Sequence, residues 1–137
     1  MKPLKFAVLI FATILSLNAI AREAVAIVKH DNIPVATNSG KTPSAEQIKQ
    51  AIVTAAGTKS WSITPQTNGR LLATLHVRGK HTVVTEIAYA SDKYSLTYKD
   101  STDMKYGERD GQAVIHPFYN KWVLELKEAI RIELLKL

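Results

Sequence analysis

The sequence predicts an α+β domain: two helices packed on one face of a four-stranded antiparallel meander, in the order α-β-β-β-β-α, as a two-layer sandwich. Three observations predict it. Apolar residues recur at helical spacing near each end of the domain, at Ala45, Ile48, Ile52 and Ala55 and again from Tyr119 to Leu137. Four segments between them alternate apolar and polar residues with the period of two that a half-buried strand requires. The turn residues separating those segments have lengths that place every apolar set on the same face.

Residues 1–21 are expected to be a cleaved signal peptide. Lys2 and Lys5 form a basic start, Phe6 to Leu17 an apolar run, and Ala19-Ile20-Ala21 a small-residue cleavage site. The run is shorter than the roughly 18 to 20 residues of a spanning helix, so no membrane span is expected after cleavage. The chain has no cysteine, which excludes lipidation at that site and any disulfide beyond it. Without Lys2 and Lys5 the 18 basic residues become 16 against 12 acidic, a net charge of +4. That charge is dispersed, which argues for solubility and against dedicated nucleic-acid binding.

Residues 22–41 read as an extended leader. Ala24 to Val28 has the composition of a short edge strand, while His30 to Lys41 is rich in turn residues. The single α+β domain then runs over 42–137. Thr42 is expected to cap the first helix, with Pro43 at its first position and Gly57 as its stop. Trp61 to Pro65 and Leu71 to Val77 form a hairpin through the three-residue loop Thr67-Asn68-Gly69, which sets Ile63 opposite Ala73. The next loop, Gly79-Lys80-His81, pairs Val77 with Val83, Ala73 with Ile87 and Leu71 with Tyr89. A four-residue loop from Ala90 to Lys93 brings Tyr94, Leu96 and Tyr98 opposite Tyr89, Ile87 and Thr85. Asp100 to Gly111 is a long polar connection, and Pro117 opens the last helix with Tyr119, Trp122, Val123, Leu126, Ile130 and Leu134 inward.

In chain order, the markers are Trp61, Gly69-x-Leu71-x-Ala73-x-Leu75, Ile87-x-Tyr89, Tyr94-Ser95-Leu96-x-Tyr98, Tyr106 and Ile115-His116-x-x-Tyr119-Asn120-x-Trp122. This arrangement resembles a family of small proteobacterial envelope proteins, many of them lipoproteins, whose biochemical activity is unassigned. The resemblance covers most of the chain after Lys41 and implies a Gram-negative periplasmic location. It carries over no catalytic residue.

Two readings compete for the crowded start of the last helix. His116, Tyr119 and Asn120, with Ser101 from the polar connection, form a candidate binding site: an aromatic floor with hydrogen-bonding groups above it. Alternatively Trp122 and Tyr119 anchor the helix, as Trp61 anchors the sheet, while Asn120 and His116 satisfy backbone groups of the connection. The structural reading is favoured. His76, His81 and His116 fall on different sides of the expected fold, so no metal site and no cofactor is expected. Ser101, His116 and Asp100 or Asp103 could be written as a hydrolytic triad, but no glycine-flanked nucleophile turn surrounds Ser101. The expected function is a non-catalytic periplasmic binding or envelope-assembly module whose partner is an envelope protein or polymer. The alternative is a small hydrolase of an envelope polymer with His116 as general base.

Overall fold

In the computed structural model residues 22–137 are described, and the expected signal peptide lies outside them. The ten elements are β1 (Val25–Ala26), β2 (His30–Pro34), α1 (Ala45–Thr58), β3 (Ser62–Pro65), β4 (Leu71–Val77), β5 (His81–Tyr89), β6 (Lys93–Thr102), β7 (Gly107–Arg109), β8 (Gln112–Ile115) and α2 (Pro117–Leu135). The fold is α+β with two antiparallel sheets. One has five strands in the order β2-β6-β5-β4-β3, and the other has three in the order β1-β8-β7. The expected four-stranded meander, β3 to β6, is therefore four strands of a five-stranded sheet that β2 extends beside β6, and a second sheet accompanies it.

Both additions come from segments expected to lack strands or to carry only an isolated one. The polar stretch His30–Pro34 pairs along β6 with an irregularity between His30 and Ile33. There Asn32 adopts φ 51° and its N–H donates to the Ser95 hydroxyl at 2.8 Å. An edge strand needs partners on one side only, so a bulge and a terminal proline are tolerated where a central strand would exclude them. The second sheet is built on the hairpin Arg109-Asp110-Gly111-Gln112. Asp110 and Gly111 both have positive φ, 52° and 78°, and Arg109 pairs with Gln112. This is the type I′ geometry that an Asp-Gly pair favours, so the connection after Asp100 is not the structureless loop expected.

The registers of the meander separate what face patterning determines from what it leaves open. Ile63 pairs with Ala73, and Tyr89, Ile87 and Thr85 pair with Tyr94, Leu96 and Tyr98, as expected. Between β4 and β5, however, Leu71 pairs with Ile87, Ala73 with Thr85 and Val77 with His81, a displacement of two residues from the expected register. The loop is Arg78-Gly79-Lys80, with Arg78 and Gly79 at positive φ, 57° and 62°, rather than Gly79-Lys80-His81. Because side chains alternate with a period of two, this displacement leaves every apolar residue on its intended face. Leu71, Ala73, Leu75, Val83, Ile87 and Leu96 are all buried in one cluster with the inner faces of α1 and α2. A further irregularity at Lys99 lets Val84 pair with Asp100 and Val83 with Ser101, extending β6 beyond its expected end.

Helix α1 starts two residues later than expected. Ser44 is its cap: the hydroxyl accepts from Gln47 N–H at 3.1 Å while the Gln47 side chain accepts from Ser44 N–H at 2.9 Å. This reciprocal box satisfies two otherwise orphaned donors. Gly57 lies inside the last turn, and the left-handed residue is Ser60 at φ 64°. Trp61 N–H donates to Ala56 carbonyl at 3.0 Å and Ser60 N–H to Gly57 carbonyl at 3.3 Å, closing the helix as a Schellman motif. That motif delivers Trp61 into the core, 4 % exposed.

In α2 the fully enclosed residues are Tyr119, Val123, Leu126, Ala129, Ile130 and Leu134. Trp122, expected beneath the sheet, is only part-buried and rests against Phe118 with ring centroids 5.6 Å apart. No described helix is long and apolar enough to cross a membrane.

Candidate functional site

Helix α2 opens on His116, whose Nδ1 accepts from Phe118 N–H at 3.1 Å and whose backbone N–H donates to Met104 carbonyl at 2.7 Å. Pro117 follows at the first helical position, where its missing donor costs nothing. Accepting a backbone proton at Nδ1 leaves Nε2 to carry the ring proton in the neutral state. The imidazole pKa is held below its usual value, first by burial and then by the positive charges of Lys105, Arg22 and His81. A general-base role for His116 would require the ring to give up its cap bond.

One turn on, Asn120 is a clamp on the leader. Its Oδ1 accepts from Val28 N–H and its Nδ2 donates to Ala26 carbonyl, both at 3.0 Å. The two backbone partners dictate which end of the amide is which. Asn120 thus serves the leader rather than the connection after Asp100, and the His116 side chain caps its own helix, with only its backbone N–H reaching the connection at Met104. Arg22 completes the attachment: its guanidinium lies 4.8 Å from the centroid of the Phe118 ring, and Lys105 Nζ donates to its carbonyl at 3.2 Å.

Tyr119 is 2 % exposed, and its hydroxyl pKa is pushed up to about 12, mainly by burial. The Thr85 hydroxyl works against that rise and Tyr98 adds to it. The Thr85–Tyr119 approach falls outside strict hydrogen-bond geometry, however, so Thr85 Oγ1 is a buried oxygen without a partner among the described residues. Ser101 is half-buried, with its hydroxyl 2.8 Å from Tyr98 Oη and its N–H donating to Asp100 at 2.8 Å. Of the four residues expected to share a site, His116 and Asn120 are spent on backbone groups, Tyr119 is enclosed, and Ser101 belongs to the tyrosine beside it. His116 is hydrogen-bonded to neither Ser101 nor Asp100. His76 bonds the Thr82 hydroxyl at 3.0 Å and His81 the Asp103 carbonyl at 2.7 Å, each on a different element from His116.

Open surface lies next to this fastened region instead. Tyr98 and Tyr106 stack with ring centroids 4.2 Å apart and planes 11° from parallel, and Tyr98 meets Tyr119 edge-on at 5.6 Å. Tyr106 remains 51 % exposed. Two open grooves share this pair as a common wall. One, about 560 Å³, runs between the leader at Ala26 to Asp31 and the β7–β8 hairpin at Gln112. The other, about 610 Å³, is bounded by Lys99, Asp100, Ser101, Asp103 and Lys105.

Sequence reasoning had placed Tyr98 on the core face and left Tyr106 as one residue in a polar loop. The informative signal was Asp110-Gly111. Recognised as a hairpin turn, it folds Gly107–Arg109 back on Gln112–Ile115 and directs the preceding Tyr106 against the end of β6. No family profile, curated protein or solved structure matches the chain.

Proposed function

We propose that the protein is a non-catalytic binding or assembly module of the Gram-negative periplasm, and that its contact surface is the pair of grooves meeting at Tyr98 and Tyr106. The observation carrying this reading is that shared wall: a half-exposed aromatic ring stacked on a second ring and bordering two open grooves, one mainly apolar and one mainly polar. Sites for small or polymeric ligands combine such apolar surface with a few fixed polar groups. The candidate nucleophile and base at Ser101 and His116 both have other partners, which favours recognition over turnover.

The periplasmic location rests on the basic start, apolar run and Ala19-Ile20-Ala21 of the first 21 residues. Fractionation of cells expressing the full chain tests it: a shortened product released with the periplasm is expected, and a full-length cytoplasmic product would refute it. Hydrogen exchange with and without purified cell-wall sacculi or outer-membrane vesicles tests the surface. Protection gained at residues 26–31 and 105–113 is expected. Protection confined to the outer side of α2, or none, would refute the assignment.

A further inference from the structure

Resting on that reading of the grooves, we infer that their ligand is an uncharged pyranose chain, one sugar ring of which lies on Tyr106. Tyr106 has one ring face against Tyr98, and its exposed half borders both grooves. The face of an aromatic ring is electron-rich, and the axial C–H groups of a pyranose carry the complementary partial charge. Tyr98 holds the platform from behind and is itself braced by Tyr119, so little ordering is needed on contact.

The polar rim fits the same class. Asp31 and Gln112 border the first groove, and Asp100, Ser101 and Asp103 the second. Carboxylates and amides accept from adjacent hydroxyl pairs, and Asp100 retains lone pairs beyond the one taken by Ser101 N–H. Formal charge is balanced along the path, with Lys29 against Asp31 in one groove and Lys99 and Lys105 against Asp100 and Asp103 in the other. A polyanion therefore meets no concentrated positive field.

Peptide capture by strand addition is disfavoured by the edges themselves. β1 has two residues and β7 three, β3 ends at Pro65, and β2 is bulged and ends at Pro34. Such edges offer few consecutive backbone partners. Because Tyr106 borders both grooves, a chain long enough to reach from one into the other should bind better than a single ring.

Titration of the isotopically labelled protein with N-acetylglucosamine, its hexamer, a glucose hexamer, heparin and an extended decapeptide tests this, read by amide NMR shifts. The hexamers are expected to move Lys29, Tyr106 and Gln112, with the single sugar weaker by about tenfold. Tyr106→Phe keeps the ring and should retain the affinity, whereas Tyr106→Ala should weaken it by about tenfold. If Tyr106→Ala does not fold, Gln112→Ala replaces it, with a smaller loss expected. Shifts of these amides by heparin or the peptide, with none from the sugars, would overturn the ligand class and leave the groove standing. Sugar-induced shifts elsewhere, or no shift with any probe, would remove both.

Discussion

Asn120→Ala should loosen the leader locally at Ala26 and Val28 without unfolding the domain. The substitution deletes two hydrogen bonds, to Val28 N–H and Ala26 carbonyl. Each such bond contributes about 0.5 to 1.5 kcal/mol net, and both lie near solvent that can replace them, so a combined loss of about 1 to 2 kcal/mol is expected. The loss is local, because the enclosed face of α2 does not include Asn120. Native-state hydrogen exchange reads it directly: Val28 has the Asn120 side chain as its acceptor, so its amide should exchange about five- to thirtyfold faster. Core amides of β5 should keep their rates. Asn120→Asp separates the two halves of the clamp, since a carboxylate still accepts from Val28 but faces the Ala26 carbonyl without a donor. It should protect Val28 while loosening Ala26. Unchanged exchange at Val28 in Asn120→Ala would refute the clamp.

Tyr119→Ala, at a fully enclosed site, should cost about 3 to 5 kcal/mol, while Trp122→Ala, at a part-exposed one, should cost roughly 2 kcal/mol; urea unfolding ranks them, and the reverse order would overturn the placement of the two rings. Thr85→Val removes a buried hydroxyl that lacks a partner among the described residues and should raise stability by about 1 kcal/mol; destabilisation of that size would show that the Tyr119 hydroxyl does bond Thr85. His30 is held below its usual pKa by burial and by Lys127, against the opposing charge of Asp31, as His116 is by burial, Lys105, Arg22 and His81. In this window the unfolded chain binds more protons, so their contribution is complete above a pH of about 6.5 and is lost as pH falls through the folded pKa values. Melting midpoints should therefore drop between about pH 7.5 and pH 5, and less steeply in His116→Asn, which keeps a cap oxygen without the titration; an equally steep drop would exclude His116 as a contributor.

The face of each meander strand was legible because burial acts on alternate residues, and Leu71, Leu75, Ile87 and Leu96 are enclosed together. Register was less so. Pairing Leu71 with Ile87 or with Tyr89 satisfies the same alternation, and the two differ only in where the loop closes, which no favoured turn dipeptide marks because Arg78 takes its positive φ against the usual preference. The cap of α1 was missed because Thr42-Pro43 and Ser44 offer overlapping signals; Gln47, three residues after Ser44, was the discriminating one. His30–Pro34 hides its strand because its pairing is made by backbone and by Ser95, without an apolar pattern of its own. At the site, the fastening role of His116 was readable from Pro117 beside it, but the partner of Asn120 lies over ninety residues away and no local pattern reports it. The tyrosine wall depended on the bulge at Lys99 and the Asp110-Gly111 turn together, two backbone events that no side-chain periodicity encodes.

Ala26 and Val28 reach their partner on α2 across 94 and 92 residues of chain, whereas the hairpins of the central sheet close between near neighbours. Closure over so long a span is entropically slower than closing a short loop. The Ala26 to Val28 stretch must therefore wait for α2 before its last hydrogen bonds can form. A ribosome-stalled chain ending before Pro117 could pair β1 with β8 but would leave Val28 N–H without its Asn120 acceptor, so that stretch would stay more open to a protease or a chaperone until α2 arrives.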